Sequence, residues 1–218
     1  MDSSQKYAAQ TQKKLICLVA LYFCFVATLQ GEVVILCLGD SLTAGYGLNP
    51  EQAYPQLLSQ RFKADGQSVK MINAGLSGST TASGEKRLKW HLKGKKKADV
   101  LLLALGANDG LRGLRLEKSK EHLSKLIALG KEQGMEVILA GMKIPPNYGL
   151  AYTKSFENMY LELATEHQIT LIPFLLEGVA GERSLNLADG IHPNAKGQEI
   201  LAKTVYPYLQ SALKAVLK

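Results

Sequence analysis

The strongest constraint on the fold is an alternation that begins at Val33 and continues to the end of the chain. Short apolar runs, "VVILCL" (33–38), "VKMINA" (69–74), "DVLLLAL" (99–105), "EVILAGM" (136–142) and "TLIPF" (170–174), are separated by longer amphipathic stretches. The runs are rich in Val, Ile and Leu and do not alternate with polar residues. That pattern predicts strands covered on both faces, as in a parallel sheet. The stretches between them predict helices over 53–66, 81–94, 117–134, 152–168 and 195–218. Pro55 sits early in the first, where proline is tolerated, and Gly66 ends it. In the third, Leu123, Leu126, Ile127 and Gly130 share one face, and Gly134 stops it. Pro207 predicts a bend in the last. Strands and helices in strict alternation imply one α/β domain with right-handed crossovers over residues 32–218.

The segment before that domain has a different character. Lys6, Lys13 and Lys14 precede "LICLVALYFCFVATL" (15–29), an uncharged apolar run. A basic segment before a short apolar core is the layout of a secretory signal. The run is shorter than the roughly 20 residues of a comfortable membrane span. No clean Ala-x-Ala cleavage site follows, so retention of residues 1–31 as an N-terminal membrane anchor is the alternative. The expected location is therefore outside the cytoplasm, periplasmic or secreted, or anchored at the membrane. Cys17 and Cys24 lie in this run, which leaves Cys37 as the one cysteine of a processed chain. It sits in a predicted buried strand and reads as a small apolar filler.

Charge excludes less than it first suggests. The net charge is +7, but the lysines are scattered. The densest run, "KGKKK" (93–97), reads as a solvated helix end, because no aromatic residues interleave with it to stack bases. No nucleic-acid partner is expected. No Cys/His cluster has ligand spacing, so no metal is expected either.

In open parallel sheets, ligands bind beyond the carboxyl ends of the strands. The loops there are 39–50, 75–84, 106–113, 143–151 and 175–193. The first holds "LGDSLTAGYG", in which Ser41 follows the strand by two residues. Ser41 is either a nucleophile or a polar residue of a glycine-rich turn. The surroundings match neither the Gly-x-Ser-x-Gly elbow nor a Gly-x-Gly-x-x-Gly dinucleotide loop. A nucleophilic serine needs a base. His91, His122 and His167 fall on predicted helices among charged neighbours. His192 lies instead in "ADGIHPN" (188–194), three positions after Asp189. A carboxylate so placed can accept the Nδ1 proton and leave Nε2 free as the base. The bland alternative is an Asp-capped turn with a surface histidine. Asn108 in "LGAND" and Gly78 in "LSGSTT" could donate to a developing oxyanion, or be turn residues.

Taken together, "GDSLTAGYG", "NAGLSGST", "GANDG" and "DGIHPN" resemble, in order, the four motif blocks of the SGNH (GDSL-type) hydrolase superfamily. "GANDGLRG" and "MKIPPNYGLAYTKSF" resemble its bacterial thioesterase I/lysophospholipase L1/arylesterase members. The resemblance implies a flavodoxin-like three-layer α/β/α sandwich with a five-stranded parallel sheet. It implies a serine hydrolase of carboxylic esters or thioesters that works without a cofactor, with Ser41, Asp189 and His192 as triad. The Ser41 amide, Gly78 and Asn108 would form the oxyanion hole. Pro145, Asn147 and Tyr148 are the expected substrate-binding residues, on the first of two expected rims, 143–149 and 175–187. The expected partners are small acyl esters, thioesters or lysophospholipids, met by a monomer. A carbohydrate O-acetylesterase and a catalytically silent binding module are the alternatives. Ser79 departs from the pattern, because close relatives usually carry aspartate there.

Overall fold

A computed structural model describes residues 31–93 and 97–217. The expected signal or anchor segment up to residue 30, and most of the lysine run, lie outside the described residues. Five parallel strands form one sheet: β1 (Val33–Gly39), β2 (Val69–Gly75), β3 (Val100–Ala104), β4 (Glu136–Ala140) and β5 (Thr170–Ile172). Their order is β2-β1-β3-β4-β5. The chain steps from β1 to one side for β2, then crosses back to the other side for β3. That reversal makes the carboxyl ends of β1 and β3 the switch point where ligands bind in doubly wound sheets. The register brings Gly39 level with both Gly75 and Ala104, so the three loops that follow start side by side.

Burial tracks position in the sheet. β1 and β3 are buried along their whole length. β2 is not covered on both faces as the sequence predicts: of its seven residues only Ala74 is buried. It is one of the two edge strands, so one side of its ladder has no strand partner. Helices α2 (Tyr54–Ala64), α3 (Gly84–Leu92), α5 (Leu116–Glu132), α6 (Leu150–His167) and α7 (Ala195–Val216) cover the sheet. The two remaining helices, α1 (Ser41–Ala44) and α4 (Ala107–Leu111), are single turns, and the sequence reading does not anticipate them. α7 runs unbroken through Pro207. Proline there removes one N–H bond, while Leu201, Val205, Leu209 and Leu213 keep the apolar face of the helix in the core. Cys37 is buried, and the loss of solvent pushes its thiol up to about 12, which leaves it unreactive. Among the described residues no helix is long and apolar enough to cross a membrane.

Candidate active site

The nucleophile candidate is held by the core. β1 ends at Gly39, and Asp40 caps α1 by accepting the Leu42 N–H at 3.0 Å through Oδ1. Ser41 is therefore the first residue of a helical turn, 8% exposed. Gly75 of β2 must be glycine, because a Cβ would strike the backbone of Ala44. Gln198 of α7 is buried and holds the turn from the other side. Its amide donates to the Leu42 carbonyl at 3.1 Å, and its oxygen accepts the Tyr54 N–H at 2.8 Å. One guanidinium nitrogen of Arg87 donates to the carbonyls of Gly39 and Ala74, pinning the ends of β1 and β2 together.

The candidate base arrives on a self-supporting turn. Leu187 N–H donates to the His192 carbonyl at 2.7 Å, and an antiparallel bridge pairs Asn186 with Pro193. Asp189 Oδ1 accepts the N–H groups of Ile191 and His192, both at 3.0 Å. Its Oδ2 lies 2.8 Å from His192 Nδ1. An ionised carboxylate only accepts, so Nδ1 carries the proton and Nε2 faces outward with its lone pair. Nε2 is 3.0 Å from Ser41 Oγ. The hydrogen bond from His192, then the Ile191 amide, holds the Asp189 carboxyl down at about 2. The Tyr46 ring lies against the imidazole, with centroids 4.4 Å apart and planes tilted by 38°.

The two other expected donors stand on neighbouring loops. Gly106, at φ 115°, starts α4 and has no room for a Cβ above the Tyr160 hydroxyl. Two residues on, Asn108 directs its NH₂ group at the Ser79 carbonyl, 3.0 Å away, and at Asp40 Oδ2, 3.4 Å away. Two acceptors on that side determine which end of the amide points there. Gly78, at φ 76°, has its carbonyl held by Arg112 at 3.1 Å. Among the described residues, the N–H groups of Ser41 and Gly78 have no acceptor within the protein.

Ser41, Asn108 and His192 open into a cavity of about 180 Å³. Leu111, Met142, Ile144, Pro145, Leu176 and Ala180 make its apolar wall. Both expected rims contribute, but Asn147 and Tyr148 do not line it. The Tyr148 hydroxyl instead donates to the Leu111 carbonyl at 2.8 Å, because the short 3₁₀ turn at Pro146–Tyr148 swings the ring against the end of α4. Gly78 also lies off the cavity lining, with its loop meeting the site through Asn108. Sequence reasoning missed Gln198, Arg87 and Tyr46. A buried-face glutamine in an otherwise apolar stripe of α7 was the available signal for the first. The others show themselves only through contacts distant in sequence.

Asp40 is 2% exposed, and burial raises its carboxyl to about 6, against the opposing pull of the Leu42 amide and His192. Two carboxyl groups of the same site thus move in opposite directions. Among the described residues no group of His, Cys, Asp or Glu is arranged to hold a metal ion.

Comparison with known proteins identifies the family. Residues 37–200 match the GDSL-like Lipase/Acylhydrolase family. An arylesterase of Vibrio mimicus is 40% identical over 88% of this chain and 95% of its own. A thioesterase 1/protease 1/lysophospholipase L1 of Escherichia coli is 35% identical over 81% of this chain and 83% of its own. The crystal structure of the esterase EstA from Pseudoalteromonas, inhibited by monoethylphosphonate, superposes with a TM-score of 0.79. It is 32% identical over 83% of this chain and 98% of that one. The chain therefore belongs to the GDSL-like lipase/acylhydrolase family and is a hydrolase of the esterase type.

Proposed function

We propose that the chain cleaves acyl esters and thioesters through an acyl-enzyme on Ser41. The observation that carries this reading is the hydrogen-bonded series from Ser41 Oγ through His192 to Asp189 at the mouth of an apolar cavity. Ser41 Oγ bonds to the carbonyl carbon while its proton passes to His192 Nε2. The carbonyl electron pair moves onto oxygen, where the Ser41 and Gly78 N–H groups and the Asn108 amide receive it. Collapse breaks the bond to the leaving oxygen or sulfur, which takes the proton from Nε2. Water then gives a proton to Nε2 and attacks the acyl carbon, and the acid departs as the proton returns to Oγ. Asp189 keeps the imidazole in the required tautomer and stabilises its charged form.

The cavity supports acyl groups over acetyl sugars, because apolar side chains outweigh the polar Asp40, Lys143 and Asn186 in its wall. An engineered apolar cavity of about 150 Å³ in another protein holds benzene. The present one thus has room for a short acyl chain or an aryl acyl group, with longer lipid chains running out over the rim. A fluorophosphonate probe should label the wild-type protein and spare Ser41→Ala, and labelling of both would sink the assignment. Nitrophenyl esters of increasing chain length, an acyl-CoA, a lysophospholipid and an acetylated sugar then rank the substrates. Preference for the acetylated sugar would move the protein to the carbohydrate O-acetylesterases. The same reading has a monomer exported by residues 1–31, or held by them at the membrane. Its support is the basic segment ahead of the apolar run, and N-terminal sequencing of the native protein reads the processing.

A further inference from the structure

Asn108 and Asp109 are consecutive on α4, so their side chains leave the helix about 100° apart. Asn108 faces the cavity. Asp109 faces inward and is 2% exposed. Its Oδ2 accepts the Thr81 N–H at 2.9 Å, and its Oδ1 accepts the hydroxyls of Thr81 at 2.6 Å and Ser119 at 2.9 Å. The Thr81 hydroxyl spends its one proton on Asp109, so the His122 ring nitrogen 3.2 Å away donates to it. Thr81 lies three residues beyond Gly78, on the same loop whose Ser79 carbonyl holds Asn108. Ser119 belongs to α5.

We propose that Asp109 is a positioning residue that fixes the two loops of the oxyanion hole against each other. The inference rests on the reading of Asn108 and Gly78 as oxyanion donors, and explains how two groups from different strand ends keep one spacing. Without the carboxylate, two bonds tie the loop after β2 to α4 and its cap: Ser79–Asn108, which uses the donor itself, and the exposed Arg112–Gly78 bond. A buried carboxylate is costly unless every lone pair finds a donor. A leucine would fill the gap between α4 and α5 without that cost, but it could not bridge to a backbone N–H. Donor placement matters at this scale, because misplacing a catalytic group by about 1 Å costs on the order of 10² in rate.

The test is a double-mutant cycle on kcat with a short acyl nitrophenyl ester, using Asp109→Asn, Asn108→Ala and the pair. Asn108→Ala alone should lose about 10²–10³ in kcat. A loss under about tenfold would instead overturn the oxyanion reading. Asp109→Asn should lower kcat by about 10–10² with KM unchanged. In the Asn108→Ala background the same change should cost less than about threefold, since the donor it positions is gone. Equal losses in both backgrounds, with equal falls in Tm, would show a structural carboxylate and overturn the proposal. Thr81→Val keeps the shape and breaks one bond of the clamp, so it serves if Asp109→Asn fails to fold. It should lower kcat in the same direction and show the same dependence on Asn108. Independence of Asn108 would count against the clamp.

Discussion

The two halves of the site are built by opposite means. Asp40 and Ser41 extend a strand buried on all sides and are clamped by Arg87 and Gln198, side chains that lie 48 and 156 residues from the carbonyls they hold. Asp189 and His192 occupy an exposed turn whose hydrogen bonds run almost entirely within residues 185–194. The proposed nucleophile is placed by the global fold, the proposed base by local turn chemistry. The difference shows in their carboxyl groups. Asp40 loses water without gaining enough donors, so its carboxyl rises to about 6; Asp189 keeps water, gains three hydrogen bonds, and falls to about 2.

The largest expected effect erases the comparison, because in the proposed mechanism the halves act as one unit. Ser41→Ala and His192→Ala should each reduce kcat by about 10⁴–10⁶, and the double variant should be no worse than either single. Multiplicative losses would show that Ser41 and His192 do not work together. Asp189→Ala comes next, and here the halves separate. Its side chain is 38% exposed, so water partly replaces the lost carboxylate. The loss in kcat should be about 10²–10⁴, smaller than for His192→Ala. The lowered carboxyl contributes stability above the ordinary carboxylate range, and that contribution fades as pH falls toward about 2. Acid titration of Tm should therefore show a gap between wild type and Asp189→Ala that closes at the acid end.

Legibility in the sequence follows the same division. Period and composition reveal β1, β3 and β4, because strands buried on both faces cannot hide their apolar runs. β2 carries a similar run, yet its edge position is a property of strand order, which no local pattern encodes. The turn that carries Asp189 and His192 is legible because Asp189, Gly190 and Pro193 spell it within five residues. Ser41 is not legible as a nucleophile from its own ten residues. The turn that presents it is held by Gln198, Arg87 and Asn108, contributed by three other elements. Tyr148 misleads for a related reason. An aromatic in a loop at the sheet's carboxyl edge can face the cavity or turn its back on it, and one hydrogen bond to Leu111 decides.

Asp40 offers a test of the buried half alone. Its carboxyl sits at about 6 when folded against 3.8 ordinarily, so between those values the folded chain holds a proton that the unfolded chain has lost. Stability must then fall as pH rises from about 4 to about 6, by on the order of 3 kcal/mol, and level off above. Asp40→Asn can still cap α1 but cannot ionise. Relative to it, the wild type should lose stability across that window in denaturant titrations. Parallel profiles would mean that the buried half does not strain its carboxylate.

The smallest expected effect lies where the halves touch. Tyr46 belongs to the nucleophile loop, yet its ring rests on the imidazole of the opposite turn, and it is 50% exposed. Such an aromatic pair is worth about 0.5–1.5 kcal/mol beyond its buried area, which corresponds to about two- to tenfold in rate if it all serves to hold the base in line. The hydroxyl has no bonding partner among the described residues, so the ring and not the phenol should matter. Tyr46→Phe should keep wild-type kcat, whereas Tyr46→Ala should lower it by that factor and leave the Tm nearly unchanged, because the core does not include this residue. If the turn's own hydrogen bonds already fix His192, Tyr46→Ala will match wild type, and the base will have proved independent of the half that carries its nucleophile.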